Sequence, residues 1–491
     1  MPANAIPAEL RKAKPLEGAP SSSDFQFLLA AIQKVEQRDK IQAPGRRVQV
    51  DDEGQPQVPA NSPIGNPLRL RPVLDALASL CVSKPRGEVV AIAMECAADT
   101  SVTFRVATNS EVPTATVNHL QSMLRKMQEV SSSYRKNKAT QSHEVTPDQQ
   151  TMGLTNSLVY MCIDFSFEKW KKRIHSKLEP FLSIPHNDLP KAHPFVKTRV
   201  CIRGLVHLYK NKPQFSDQEE WRSLVIHLQD TQKATQAFIE TKPVVGAESR
   251  RYEKFPSIET YLIKVNSLIN HLGALVRATR SPHCEALLNK QCWAKHLPSM
   301  STKVAAVPNT PEEWEAVLEK AASVQPTDYD LDLNVIRGDS RFMAQSDIPR
   351  DISVHCEIKI LLDIFRNESP AYTYIGVSKL SCRGCHAFFA AFNNIHDTHF
   401  LTRGSHGKSY FPWQFPLNFP KSNAVADKAY RLLAERWVPT YHGYRPRMVH
   451  LQPDSTAGSG AQEIELGDRR EDDNTLSLEV LTADLPETGN H

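Results

Sequence analysis

Two short motifs constrain this chain more than anything else in it. His355-x-Glu357 is followed, after 24 residues, by Cys382-x-x-Cys385. One imidazole and two thiolates make three ligands for a tetrahedral Zn²⁺ and leave a fourth position for water. Zinc draws the pKa of that water towards neutrality. A carboxylate that is not itself a ligand can then take the water proton and pass it on. Glu357 is the candidate for that shuttle; His355, Cys382 and Cys385 are the candidates for the metal. Val354, Ile358, Leu361, Leu362 and Phe365 recur at helical spacing, which predicts a helix over 354–366 that ends near Asn367, with Pro370 beyond it. The β formers of 371–377 predict a buried strand. Ser381 is a candidate cap for a second helix over 382–392, whose first turn carries both thiols on one face. A helix N-terminus also favours thiolates. On an ideal helix His355 and Glu357 point roughly 200° apart, so His355 is expected at the very start of its helix.

The ligand types and their order are those of a zinc-dependent nucleobase deaminase. The residues around them, Val354-His-Cys-Glu357, Tyr374-Ile-Gly-Val-Ser-Lys-Leu-Ser-Cys-Arg-Gly-Cys385 and Gly404-Ser-His-Gly-Lys-Ser-Tyr-Phe-Pro-Trp413, resemble a deaminase-like family widespread in filamentous fungi. That family is related to the deaminases of bacterial polymorphic toxins. The resemblance covers 350–440. It implies an α/β fold, with a cytidine deaminase-like mixed sheet flanked by helices, and hydrolytic deamination of a base in a nucleotide or nucleic acid. Two positions depart from the general deaminase pattern. Ser381 stands where that pattern has proline, which leaves the backbone before the metal turn less rigid, and Cys356 adds a competing thiol. A second His-Cys-Glu, at 283–285, has no Cys-x-x-Cys at a similar distance, since Cys382 lies 99 residues beyond His283. His-x-Glu alone therefore carries no weight.

Two rival readings use the same residues. A strand followed by Cys-x-x-Cys at a helix start is also the arrangement of thioredoxin-like oxidoreductases. A zinc-stabilised binding module without catalysis is the other, although such a site has no need of Glu357. Outside the motifs the signals are weaker. Residues 404–408 read either as a mobile loop, with His406 or Trp413 contacting a base, or as an ordinary turn with a packed tryptophan. Asn109 ends a candidate strand where a deaminase-like core can place an amide against the substrate's sugar.

Composition frames the rest. Charged residues make up 23% of the 491-residue chain, the net charge is +4, and no apolar run approaches the length of a membrane span. Nine cysteines at irregular spacing point to reduced thiols and an intracellular compartment, cytoplasm or nucleus. Residues 1–66 read as a mostly flexible region with one amphipathic helix over 24–38. In 67–115 a helix is followed by two strands, 88–95 and 101–108. This is either the first half of a deaminase core or an unrelated α+β unit. Residues 116–345 read as a helical insertion, 346–445 as the zinc core, and 446–491 as a disordered acidic tail. Within the insertion, 169–212 carries 11 Lys/Arg against two acids, with Trp170, Phe181, Phe195 and Tyr209 interleaved. Lys171, Lys172 and Arg173 could track a nucleic-acid backbone; alternatively, the charges are a solvated face and the aromatics are core.

Overall fold

The computed structural model describes residues 19–39, 69–96, 101–140, 148–210, 218–241, 258–300, 303–305, 308–325 and 350–442. The acidic tail, the lead-in over 326–349 and the Pro/Gly-rich 40–68 lie outside the described residues. The elements begin with α1 (Ser22–Asp39), α2 (Leu70–Leu80), β1 (Val90–Glu95), β2 (Ser101–Thr108), α3 (Thr114–Thr140) and α4 (Gln149–His175). Next come α5 (Leu178–Leu182), α6 (Pro194–Lys210), α7 (Gln218–Thr241), α8 (Ile258–Arg280), α9 (Pro282–Leu288), β3 (Gln291–His296) and β4 (Lys303–Ala305). The last are α10 (Pro311–Ser323), β5 (Arg350–Ile352), α11 (Cys356–Arg366), β6 (Gly376–Val377), α12 (Arg383–His396) and α13 (Ser422–His442). The described fold is mixed α/β and rich in helix, and none of its helices is long and apolar enough to cross a membrane. The described residues divide into two compact units, those within 55–298 and 368–380 forming one and those within 1–54, 299–367 and 381–452 the other.

The first unit is built on a four-stranded mixed sheet, in the order β3-β2-β1-β6. β1 and β2 are antiparallel, with Val90 opposite Thr108 and Glu95 opposite Thr103; β3 runs parallel to β2. Every residue of β1 is buried, as a central strand covered on both faces requires. The expected strand over 371–377 is regular only at Gly376–Val377, which pairs with Ala91 and Ile92. The same register extends irregularly to both sides, through Tyr372 N–H to Met94 O (2.9 Å) and Ser378 N–H to Val90 O (2.9 Å). Two residues make this packing feasible. Asp75, buried on α2, accepts hydrogen bonds from the Tyr374 hydroxyl (2.8 Å) and the Val377 amide (3.0 Å). At Gly376 a Cβ would lie 2.4 Å from the Leu74 carbonyl carbon, so only glycine lets β6 lie against the helix backbone. On the outer side of β3 the Gln121 amide bonds Cys292 O (2.9 Å) and Ala294 N (2.8 Å), imitating a further strand.

Where it is described, the segment between β2 and β3 consists of helices and the turns that join them. α4 and α5 are separated by a break at Ser176–Lys177, and α4 starts at a cap in which Asp148 accepts from Thr151 N (2.7 Å). Trp170, Phe181, Phe195 and Tyr209 are all buried, which makes them core and unavailable for stacking on bases. Several of the neighbouring cations serve the fold. Arg199 hydrogen-bonds the Phe181, Leu182 and Ile184 carbonyls at the end of α5, and buried Lys169 donates to Ser79 O (3.0 Å).

The second unit holds α1, the β4–β5 pair and helices α10 to α13. Ser21 and Asp24 cap α1 reciprocally, Asp24 N–H to Ser21 Oγ (3.2 Å) and Ser21 N–H to the Asp24 carboxylate (2.7 Å). The helix buries Phe25, Leu28, Leu29 and Ile32, spaced for one face. Phe25 stacks on Phe415 with centroids 4.5 Å apart and meets Trp413 at 5.8 Å. Deep aromatic burial of this kind is worth roughly 1.5–3 kcal/mol per side chain.

Candidate metal centre

His355 and both cysteines come from helix starts. His355 is the cap residue of α11, in extended conformation (φ −70°, ψ 151°), just outside the helix as the angular argument required. Its ring is therefore free of the helical projection that would turn it away from Glu357. Cys382, not Ser381, caps α12: its sulfur accepts from the Cys385 amide at 3.4 Å. Cys385 follows one turn later. His355 Nδ1 lies 3.6 Å from Cys382 Sγ and 3.3 Å from Cys385 Sγ, and the two sulfurs are 3.5 Å apart. That is well beyond the ~2.05 Å of a disulfide. The three residues form a group that could hold a metal ion, and among the described residues it is the one His/Cys/Asp/Glu cluster of that kind.

The charges on this group favour a cation. Burial acts to raise the Cys382 thiol, but the adjoining Cys385 thiol and the His355 ring bring it down to about 5. Burial works against a charge on His355, and the Cys382 sulfur beside it more than compensates, so its pKa is raised. Burial and the neighbouring Cys382 push the Cys385 thiol well up. One thiolate–imidazolium pair and one thiol are thus favoured without metal, and a dication held by both sulfurs and His355 Nδ1 would displace the remaining thiol proton and the proton on Nδ1.

Glu357 sits on the first turn of α11, buried, and is not one of the clustered donors. Its Oε2 accepts from the Cys356 thiol at 3.4 Å, and its charge acts to raise the Cys385 thiol. Cys356 is not one of the clustered donors, and its thiol donates to Glu357. Trp413 is fully buried, and its indole Nε1–H donates to Cys385 Sγ at 3.3 Å. It therefore touches a sulfur of this group and presents no face to a base. A sequence motif scan does not find this contact, because Trp413 lies 28 residues past Cys385 in an irregular segment.

The loop over 404–408 is strapped down. Ser381 N–H donates to Gly404 O (3.0 Å), His406 N–H to Ser381 O (3.1 Å) and Arg383 N–H to Lys408 O (3.0 Å). The Arg383 guanidinium donates to Gly407 O at 3.0 and 3.1 Å. His406 is buried, with Nδ1 accepting from Lys408 N (3.0 Å) and its ring edge-on to Tyr410. The departure at Ser381 now has a reason. Its N–H is used, its hydroxyl pairs with Thr402 (3.0 Å), and its carbonyl accepts from Ser405 Oγ (3.0 Å). Proline would lose the first of these bonds, so the backbone before the metal turn is fixed by hydrogen bonds in place of a ring.

The remaining sequence candidates lie in the other unit. Asn109 is half-buried just past β2, Lys171 and Lys172 are half-exposed on α4, and Arg173 hydrogen-bonds Ser267 Oγ. The second His-Cys-Glu belongs to α9, where Cys284 is buried and Glu285 pairs with Arg135 at 3.5 Å.

A His/Cys/Cys group with a half-buried histidine, two buried sulfurs and a carboxylate outside the donor set is an arrangement that could hold a metal in the manner of the deaminase class. Residues 354–417 match the family model of the OTT_1508-like deaminases, and this matched stretch contains every residue of the site. No curated protein and no solved structure matches the chain.

Proposed function

We propose that this protein is a zinc-dependent hydrolytic deaminase of a nucleobase carried in a nucleotide or nucleic acid. The observation that carries the reading is the His355/Cys382/Cys385 group with Glu357 against it, inside the family-matched stretch. Zinc–ligand bonds of ~2.3 Å to sulfur and ~2.0 Å to nitrogen at tetrahedral angles separate two sulfurs by ~3.8 Å and nitrogen from sulfur by ~3.6 Å. The observed 3.5 Å and 3.3–3.6 Å fit such a centre. His355 through Nδ1 and both cysteines as thiolates would hold the ion, which when bound supplies Lewis-acid activation of water near pH 7.

Glu357 then handles the protons. Water adds to the ring carbon that bears the amino group, Glu357 takes the water proton and delivers it to the ring nitrogen, and a second transfer releases ammonia and leaves a carbonyl. Burial of Glu357 keeps that proton from exchanging with bulk water during the reaction.

The cytidine deaminase-like architecture is part of the same proposal. β6 lies in the chain between Glu357 and Cys382 and is hydrogen-bonded to β1. This supports reading 67–115 as the first half of the core and 116–345 as an insertion. The lowered Cys382 thiol is what a thiol–disulfide oxidoreductase would also show. Against that reading, Cys382 and Cys385 are only 3% and 0% exposed, and exchange requires an accessible sulfur.

The test measures metal and ammonia on one preparation. The purified chain should carry about one zinc, lost in Cys382→Ser and Cys385→Ser and kept in Cys284→Ser. It should release ammonia from at least one member of a panel of nucleosides, nucleotides and single-stranded oligonucleotides. Zinc retained by the Cys382→Ser/Cys385→Ser double variant would overturn the metal assignment.

A further inference from the structure

The indole of Trp413 is placed as deliberately as any ligand. Its Nε1 is 3.3 Å from Cys385 Sγ, within reach of an N–H···S hydrogen bond. The ring lies against the helix turn between the two cysteines: a Cβ on Gly384 would sit 2.9 Å from Trp413 Cδ2 and 3.0 Å from Cε2. Gly384, the last residue between the cysteines, is thus the residue that admits the ring. Trp413 is pinned from behind as well. Its backbone bridges in parallel to Ser353, with Ser353 N–H to Pro412 O (3.2 Å) and Gln414 N–H to Ser353 O (2.9 Å), two residues before His355. Phe25 and Phe415 close on the ring at 5.8 and 6.1 Å. Each sulfur therefore has its own N–H donor, the Cys385 amide for Cys382 and the Trp413 indole for Cys385.

We propose that Trp413 is a positioning residue of the metal centre, holding the Cys385 sulfur and limiting the charge this thiolate gives to the bound metal. The proposal rests on the metal reading above. An N–H···S bond withdraws electron density from a thiolate, so a metal between two such ligands stays a stronger Lewis acid than two bare thiolates would leave it. The bond also keeps the sulfur aimed while the site is empty. Partners of this kind typically change metal affinity or activity by about 10–100-fold when removed.

Cobalt(II) added to the full-length, zinc-free chain reads the sulfur directly through its thiolate-to-metal charge-transfer band. Loss of the indole donor raises the sulfur lone-pair energy, so Trp413→Phe should move the band to longer wavelength. It should also weaken cobalt binding at pH 7 by about 10-fold or more. Because phenylalanine also leaves a packing defect, 2-naphthylalanine at position 413 is the stricter variant: it keeps two fused rings and lacks the donor. It should show the same band shift with a melting temperature near that of the unmodified chain. Gly384→Ala should shift the band in the native background, by pushing the ring off, and add no further shift to Trp413→Phe. An unmoved band and unchanged affinity with 2-naphthylalanine would overturn the role of Trp413 and leave the metal site standing. Failure of the unmodified chain to take up cobalt or zinc would overturn the site itself, and this proposal with it.

Discussion

Replacing Glu357 by glutamine isolates proton transfer from everything else the site does. The side chain keeps its size, and an amide oxygen can still accept from the Cys356 thiol, now 3.4 Å from the carboxylate. None of the three metal donors is changed. The carboxylate's charge raises both thiols and favours the protonated ring of His355. Removing it makes the sulfurs easier to ionise, so metal uptake should not suffer. The cost to stability is about one neutral hydrogen bond, on the order of 1 kcal/mol. Relief of repulsion between Glu357 and the Cys382 thiolate offsets part of that. Turnover behaves differently, because an amide cannot accept and return a proton. The expected loss is ~10²–10⁴-fold, or about 2.7–5.5 kcal/mol of barrier. The assay is ammonia release from the most active substrate of the panel, with zinc content and melting temperature measured on the same sample. Normal zinc, a near-normal melt and severely reduced turnover are the expected triad. Undiminished deamination would refute the shuttle; lost zinc would show that Glu357 supports the ligands and not the reaction. A thiol oxidoreductase would be indifferent to this change.

Other outcomes follow from particular contacts. Gly376→Ala drives a methyl to 2.4 Å from the Leu74 carbonyl carbon and strains the Asp75 bonds, so the chain should lose about 3 kcal/mol of stability; a loss under ~1 kcal/mol in a denaturant melt would contradict the packing described. The metal-free protein should gain stability as pH rises from about 5 to 6.5: Cys382 is already ionised in the folded state there and still a thiol when unfolded, while His355 is charged in both. Above 6.5 the unfolded imidazole loses its proton while His355 keeps its own, which cancels the gain and should flatten the profile. Cys382→Ser should abolish the slope below 6.5, as seen in melts across that range. If α4 contributes to holding a polyanion, Lys171→Glu/Lys172→Glu should weaken single-stranded oligonucleotide binding to a similar degree for every sequence and lower its salt dependence; salt-independent binding would return these residues to an ordinary solvated face.

The helices of this chain were legible because their signals are local. The stripe Phe25, Leu28, Leu29 and Ile32, and the run Ile358, Leu361, Leu362, mark buried faces without reference to anything distant. Metal-ligand types are legible for a related reason, since few chemistries need His-x-Glu and Cys-x-x-Cys together. Strand 371–377 was only half legible: its β formers are real, but its regular pairing is confined to Gly376–Val377 because it lies beside α2 and borrows Asp75 and Ser378 for bonds a regular ladder would supply. The aromatics of 169–212 proved to be the core alternative, which spacing among cations could not decide because it does not reveal that Trp170 donates to Val265 O, inside the helical core, at 3.2 Å.

The contacts that sequence could not show are those that convert a set of ligands into a shaped site. Ser381 looks like a loss of rigidity until its N–H is seen donating to Gly404 O, a bond that proline cannot make. Cys356 looks like a rival ligand until its thiol is seen on Glu357. Gly384 looks like a spacer until the indole is seen against it. In each case the partner is either adjacent and pointing away, or some 20 to 30 residues on, in a segment with no periodicity to announce it. Ligand identity is written in residue types, which one sequence displays. Ligand orientation is written in pairs of residues, and each member of a pair gains its meaning only from the other. Substituting both members should therefore cost little more than substituting Trp413 alone, and the Gly384→Ala/Trp413→Phe combination is where that non-additivity is most directly measured.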